Sequence, residues 1–143
     1  MLIYPAVFRP AEEGGFVVTF PDFDWGGTQG ETEKEAHEMA QDLLQLLVGQ
    51  SISKHEDIPR PGRIRGKWVR GVALPALAEA KVELYRIMRE SGIRKTELAR
   101  RMGQPKQQIE RLLSLQHASR LDQIEAAFTA LRKRLTIEIR DAA

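Results

Sequence analysis

The sequence predicts an α+β fold, with a β-β-β-α-β domain over residues 1–75 followed by an all-α domain over residues 76–143. Two observations support this prediction. The first part alternates short runs of β-branched and aromatic residues with one long amphipathic stretch, whereas the second part keeps the apolar spacing of three and four residues that is typical of helices. Leu74-Pro75 marks the change of pattern and is the predicted domain boundary.

The first domain contains four predicted strands. Residues 2–9 and 16–20 are expected to pair as a hairpin, because a glycine-rich turn separates them. Residues 28–30 form a short strand or a bend. Residues 51–67 are rich in Pro and Gly and predict a loop, which leads into a further strand over residues 68–74.

One long helix lies between the third and fourth strands. Thr32 and Glu35 have the spacing of a capping box, in which each side chain satisfies a free backbone N–H, so the helix is expected to begin there. Gly49 is expected to end it. The helix presents a continuous apolar stripe to the strands, and that stripe consists of Ala36, Met39, Ala40, Leu43, Leu44, Leu47 and Val48.

The second domain begins with three predicted helices. The first runs from Ala76 to a C-terminal glycine, Gly92, and short helices follow over residues 95–102 and 105–114. The apolar face expected for the first of them consists of Leu77, Ala80, Leu84, Ile87 and Met88.

A fourth helix and a short strand are predicted to complete this domain. Ser119 and Asp122 give a cap signal for the helix. Residues 135–139 alternate apolar and polar side chains, as a strand does, and could pair across a two-fold axis. The apolar residues expected to line the helix are Leu121, Ile124, Phe128, Leu131 and Leu135.

Charge is divided unevenly along the chain. Residues 1–50 carry two basic and nine acidic side chains, a net charge of −7, whereas residues 51–77 and 78–143 carry net charges of +4 and +5. A basic part suits phosphates, and an acidic part would attract a basic protein. This charge distribution is equally consistent with solvated side chains that are unevenly spread and have no partner.

Composition excludes several classes of protein. The chain has no cysteine and three histidines without metal-ligand spacing, so we expect no metal site and no cofactor. The N-terminus lacks the basic region of a signal peptide, and no apolar run approaches the ~18 residues that a membrane helix needs. We expect a cytoplasmic protein with no membrane contact.

The segment 96–112 has the spacing of a helix-turn-helix motif. A small residue, Ala99, stands where the two helices would meet, and Gly103 follows four residues later, where the turn requires a positive φ. Apolar residues that would face inward lie on both helices. A helical hairpin without DNA-binding function is the simpler alternative to this interpretation.

The second helix of the motif would enter the major groove of DNA. Glutamine can read adenine edges, and arginine or lysine can read guanine. Basic residues around the first helix suit phosphates, which position the protein without specifying sequence. The candidate DNA-binding residues are Lys95, Thr96, Arg100, Arg101, Lys106, Gln107, Gln108 and Arg111.

Two stretches of the chain resemble a known family. Tyr4-Pro5, Gly14-Gly15-Phe16, Phe20-Pro21-Asp22 and Thr28-Gln29-Gly30-Glu31-Thr32, which lead into an Ala/Leu-rich helix, resemble HicB-type antitoxins. The segment from Glu97 through Leu112 resembles the helix-turn-helix version of that family. The resemblance covers nearly the whole chain.

The resemblance implies a partial RNase H-like fold for the N-terminal domain. It also implies two partners. One is a HicA-type toxin, a small basic ribonuclease that cleaves messenger RNA, and the other is the operator DNA of the shared operon, bound as a homodimer or tetramer. The acidic charge of residues 1–50 suits a basic partner independently of the resemblance.

The loop after the second strand departs from the family pattern. Where the family has a Leu/Ile-Pro-Gly-small sequence, this chain has Phe23-Asp24-Trp25-Gly26-Gly27. Trp25 could anchor a toxin interface or fold back on its own sheet. Aspartates there could contact basic toxin residues or bond their own backbone. The candidate toxin-binding residues are Asp22, Phe23, Asp24 and Trp25.

We do not expect catalysis. Two-metal hydrolysis on an RNase H-like fold needs converging carboxylates, and residues 2–9 of the first strand contain none. Two alternatives to an antitoxin remain: a stand-alone transcription regulator whose N-terminal domain senses a ligand or dimerises, and a nuclease that would depend on Asp22 or Asp24.

Overall fold

A computed structural model describes residues 1–142. The chain forms two compact units, of which the first is Met1–Glu79 and the second begins at Ala80. The first unit contains all of the β-structure found in the described residues. In those same residues, no helix is both long and apolar enough to cross a bilayer.

The first unit is built on a four-stranded antiparallel sheet. Its strands are β1 (Ile3–Pro10), β2 (Phe16–Thr19), β3 (Thr28–Gly30) and β4 (Val69–Ala73), in the order β3-β2-β1-β4. All four agree with the predicted strands to within two residues. β1 is central because it pairs with β2 on one side and with β4 on the other.

Helix α1 (Glu33–Ser53) covers one face of this sheet. Its N-cap is Thr32, whose hydroxyl oxygen accepts a hydrogen bond from the Glu35 amide at 3.1 Å, so the predicted start of the helix is confirmed. Because side chains alternate along a strand, every second residue of β1 faces the helix. The core of the unit is formed by Tyr4, Ala6, Phe8, Val18, Phe20, Ala36, Ala40, Leu44, Leu47, Val48 and Val72.

Two details of the α1 prediction are wrong. The helix does not end at Gly49 but continues to Ser53, since Ser51 and Ile52 are also buried and extend the packed face by another turn. Met39, expected in the buried stripe, is 40% exposed.

The second unit is helical. Its elements are α2 (Ala76–Ser91, which starts before the unit begins), α3 (Lys95–Met102), α4 (Lys106–Leu113) and α5 (Leu121–Ala130). Gly92 has a φ of 67° and ends α2 as predicted. The core of the unit is formed by Val82, Leu84, Tyr85, Met88, Leu98, Ile109, Leu112, Leu113, Ile124, Ala127, Phe128 and Leu131.

Three predictions for this unit are wrong. Ser119 does not cap α5, whose N-cap is Arg120, because the Ser119 hydroxyl is hydrogen-bonded elsewhere. The helix ends at Ala130, so it does not reach Leu135. Residues 135–139 form no strand within the described residues of a single copy, where Ile137 and Ile139 are 70% and 90% exposed.

Candidate DNA-binding and toxin-binding surfaces

Helices α3 and α4 are joined by a tight turn. Gly103 adopts a left-handed conformation with φ 63° and ψ 34°, as the spacing predicts, and its amide donates to the Arg100 carbonyl oxygen. The Gln104 amide donates to the Ala99 carbonyl oxygen at 3.0 Å. Ala99 is buried where the helices pack together, so a larger side chain would separate them.

Helix α4 has one buried and one exposed face. Ile109, Leu112 and Leu113 are buried, whereas the polar residues between them face solvent. A shallow open depression lies on this exposed face and extends into the following loop. It is lined by Gln107, Glu110, Arg111, Ser114 and His117.

The candidate DNA-binding residues differ in how free they are. Thr96, Lys106, Gln107 and Arg111 are exposed, whereas Lys95 is half-buried. Gln108 is half-buried as well, and its amide lies 3.5 Å from the side-chain oxygen of Gln123 on α5. The remaining two candidates, Arg100 and Arg101, are engaged in ion pairs.

Glu97 holds both of these arginines. Its carboxylate accepts two hydrogen bonds from Arg100 and one from Arg101, at 3.0 Å. These bonds, from Arg100 first and then Arg101, lower the pKa of the Glu97 carboxyl to about 2. Both ion pairs are open to solvent, where such pairs contribute little free energy. Each arginine can therefore leave this carboxylate and bind a phosphate instead.

Sequence reasoning missed Lys81, the charged side chain that is fully buried in the described part of the chain. Its ammonium donates to the carbonyl oxygens of Arg111 (3.0 Å), Ser114 (2.7 Å) and His117 (2.6 Å) and lies 2.9 Å from the Ser119 hydroxyl. Burial lowers the pKa of Lys81 to about 8, so the side chain still carries its charge at neutral pH.

The candidate toxin-binding loop divides into an anchored and an exposed part. Asp22 accepts a hydrogen bond from the Gly62 amide at 2.9 Å, and the Phe23 ring lies 5.6 Å from that of Tyr4. Both residues are half-buried. Asp24 and Trp25 face solvent, and Trp25 is 49% exposed.

Helix α1 adjoins the loop that carries Trp25 and has exposed apolar side chains of its own. A Cβ on Gly26 would stand 3.4 Å from Leu43 and 3.1 Å from Leu47, so this loop lies against α1. Met39 and Leu46, which are seven residues apart and therefore share a helix face, are 40% and 50% exposed. Glu35, Glu38 and Asp42, which lie within four residues of Met39 on α1, are exposed, as is Asp24 next to Trp25 in the chain.

Comparison with known proteins gives the family. Residues 3–83 match the family described as the HicB-like antitoxin of bacterial toxin–antitoxin systems. The chain belongs to the HicB-like antitoxin family. It is 39% identical to "Antitoxin HicB" of Escherichia coli (strain K12) over 134 residues, which cover 94% of this chain and 96% of that protein.

A second relative and one solved structure extend the comparison. The chain is 35% identical to "Antitoxin HicB 1" of Photorhabdus laumondii over 136 residues, which cover 95% of this chain and 86% of that protein. A chain of a toxin–antitoxin complex from Streptococcus pneumoniae is 20% identical with a TM-score of 0.44, covering 67% of this chain and 92% of its own length.

Family membership settles one sequence-based expectation. HicB-like proteins are antitoxins, which regulate rather than catalyse, so the prediction that this HicB-like chain is not an enzyme is confirmed. The interpretation as a nuclease is thereby set aside. In residues 1–142, no three histidine, aspartate or glutamate side chains are grouped as metal ligands would be.

Proposed function

We propose that this protein is a cytoplasmic antitoxin that binds and neutralises a HicA-type mRNA-cleaving toxin through its first unit. In this proposal the second unit represses the shared operon by binding operator DNA through a helix-turn-helix formed by α3 and α4. The toxin-binding part is supported by the family match over residues 3–83. The DNA-binding part is supported by the exposed polar face of α4.

The proposed toxin-binding surface is the Trp25 loop together with the exposed apolar and acidic side chains of α1. Trp25, Met39 and Leu46 supply exposed apolar area, and Asp24 and the exposed carboxylates of α1 supply negative charge. Such a surface suits a basic protein, because charge speeds the encounter and desolvated aromatic side chains contribute most of the affinity. Asp22 and Phe23 hold the loop that carries Asp24 and Trp25 in place, through the hydrogen bond to Gly62 and the ring contact with Tyr4.

Substitution of each tryptophan tests this surface. Trp25→Ala is expected to weaken toxin binding by at least ~2 kcal/mol, about 30-fold, as for a central interface aromatic. Trp68→Ala is the matched control, because Trp68 is exposed to a similar degree and contacts Lys67 on a separate segment. Isothermal titration calorimetry with purified toxin measures both. Equal effects of the two substitutions would contradict the assignment.

The DNA surface combines base-reading and phosphate-binding groups. Gln107 in the first turn of α4 and Arg111 in its last turn face solvent, where they can reach base edges. Lys95, Thr96, Arg100 and Arg101 on α3 and Lys106 at the start of α4 are assigned to phosphates. Gln108 is also proposed to contact DNA, and binding would require it to break its hydrogen bond with Gln123.

The two groups predict different responses to substitution. Arg111→Ala should weaken binding to the operator by ~1–3 kcal/mol and relax one position of the site. Lys95→Ala should weaken binding to all sequences alike and reduce the salt dependence. Arg9→Ala, an exposed arginine of the first unit, is the control. Fluorescence anisotropy on operator and unrelated duplexes distinguishes them, and unchanged operator affinity of Arg111→Ala would refute the docking.

A homodimer or tetramer is part of the proposal. Operator half-sites lie one helical turn apart, ~34 Å or a multiple, when two copies bind together. The exposed Ile137 and Ile139 alternate with polar residues, so antiparallel pairing of residues 135–139 from two copies would bury them. Ile139→Asp should then shift the mass measured by light scattering towards the monomer, and an unchanged mass would exclude this dimer surface.

Growth rescue tests the proposal as a whole. The adjacent small reading frame is expressed in cells with and without this chain, and the two products are co-purified. Arrest by the neighbour, rescue by this chain and a stable complex are the expected results. If no neighbour is toxic or no complex forms, a stand-alone regulator with a ligand-sensing or dimerising first unit is the better interpretation.

A further inference from the structure

One buried ammonium fixes the segment that follows helix α4. Lys81 is inaccessible to solvent and is surrounded by four oxygen atoms at 2.6–3.0 Å. An ammonium has three protons, and three of these oxygens are backbone carbonyls. The fourth oxygen is the Ser119 hydroxyl, which also lies 3.4 Å from the Arg111 carbonyl oxygen. Ser119 and Arg111 are therefore connected directly as well as through Lys81.

The acceptors are the groups that a helix end leaves unpaired. Arg111 lies in the last turn of α4, and Ser114 is its C-cap. The last carbonyls of a helix lack intrahelical donors and carry partial negative charge, so a cation is favoured there. His117 and Ser119 belong to the following loop, which has no regular secondary structure. Lys81 therefore ties the loop to the end of the helix.

This arrangement places the His117 side chain beside the exposed face of α4. The His117 backbone is fixed on both sides, because its amide donates to Ser114 and its carbonyl accepts from Lys81 and the Ser119 amide. Its imidazole is exposed and makes no hydrogen bond within residues 1–142. It lines the same depression as Gln107, Glu110 and Arg111. His117 therefore presents an exposed imidazole from a fixed backbone position beside α4.

We infer that His117 is a DNA contact, donating to a backbone phosphate next to the bases reached from α4, and that Lys81 is the positioning residue that presents it. This inference rests on the proposed operator binding. Imidazole N–H groups bind phosphate oxygens well, and phosphate contacts fix the register of a helix in the groove. Lys81 itself is buried and touches no DNA in this arrangement.

A double-mutant cycle tests the inference. Operator affinity of the full chain is measured by fluorescence anisotropy for Lys81→Met, His117→Ala and the double variant. His117→Ala should lose about 10-fold, the value of one hydrogen bond to a charged group. Lys81→Met should lose at least as much. Because Lys81 acts through His117, adding His117→Ala to Lys81→Met should change affinity by less than about 2-fold.

A purely structural lysine would give a different result. The two losses would then multiply, and such multiplicative losses would overturn the inference. If Lys81→Met does not fold, Ser119→Ala replaces it in the same cycle with His117→Ala. Ser119→Ala keeps the Lys81 ammonium and removes one of its acceptors. Lys34→Met, an exposed lysine of α1, controls for the lost charge and should bind normally.

The outcomes separate this inference from the proposed function. If wild-type protein binds operator, Arg111→Ala weakens binding and His117→Ala does not, operator binding stands and the inference is overturned. If wild-type protein shows no preference for operator over an unrelated duplex, the proposed DNA binding fails and this inference fails with it.

Discussion

Gly30 ends β3 directly against the start of α1, and replacing it by alanine should destabilise the first unit strongly. A Cβ at this position would lie 2.6 Å from the Ala36 Cα and 2.8 Å from the Glu35 carbonyl carbon, and it would also collide with the Ala36 amide nitrogen. These are backbone atoms of the first helical turn, so no side-chain rotation relieves the contact. The strand and the helix must separate by several tenths of an ångström.

The size of the effect follows from the packing of α1. Overpacking of a core costs about 1–3 kcal/mol, and the upper end applies here because backbone must move. Since 1 kcal/mol shifts the melting temperature of a domain of this size by about 4–8 °C, a loss of about 3 kcal/mol lowers it by about 12–24 °C.

Tryptophan fluorescence is a suitable assay, because the chain has two tryptophans and both lie in the first unit. Gly27→Ala is the matched control: the atoms nearest to its added Cβ are 3.6 and 3.8 Å away, which is ordinary contact. Its melting temperature should stay within a few degrees of the wild type. If Gly30→Ala and Gly27→Ala melt together, the close approach of β3 and α1 is not what requires glycine at position 30.

Two further predictions concern local interactions. Thr32→Ala removes the N-cap acceptor of α1 and should cost about 1 kcal/mol in chemical unfolding followed by tryptophan fluorescence, whereas Thr32→Ser should retain most of that stability; equal losses would show that the hydroxyl is not the cause. The Glu97 carboxyl should titrate near pH 2 by NMR, so the stability from its ion pairs is complete above its usual pKa of 4.5 and is lost as pH falls towards 2; Arg100→Ala should raise this pKa, and a normal pKa in the wild-type protein would rule out the persistent ion pairs.

Elements specified by local pattern were predicted well. The strands of the first unit, the Thr32 cap, the α3 bounds and the left-handed turn at Gly103 depend on residues a few positions apart. Thr28-Gln29-Gly30, on which the family resemblance partly rests, has a physical reason as well, because a side chain at Gly30 would collide with α1.

Elements that depend on distant partners were predicted poorly. Gly49 has the local signature of a helix end, yet α1 continues because later residues find a surface to pack on. Ser119 has the signature of a cap, yet its hydroxyl lies beside Lys81, 38 positions earlier. Residues 135–139 alternate as a strand does, but a strand requires a neighbour to complete its hydrogen bonds.

The sequence by itself therefore determined the order of elements, the family and the helix face that carries the DNA-reading candidates, because these depend on periodicity and short-range spacing. Only the tertiary structure decided which candidates are free. It tied Asp22 to Gly62, left Trp25 exposed and buried Lys81 under the end of α4. The physical reason is that the sequence shows only that a side chain is polar, which predicts that it faces solvent. Whether it does so depends on groups tens of residues away, which can satisfy its hydrogen bonds in the folded protein.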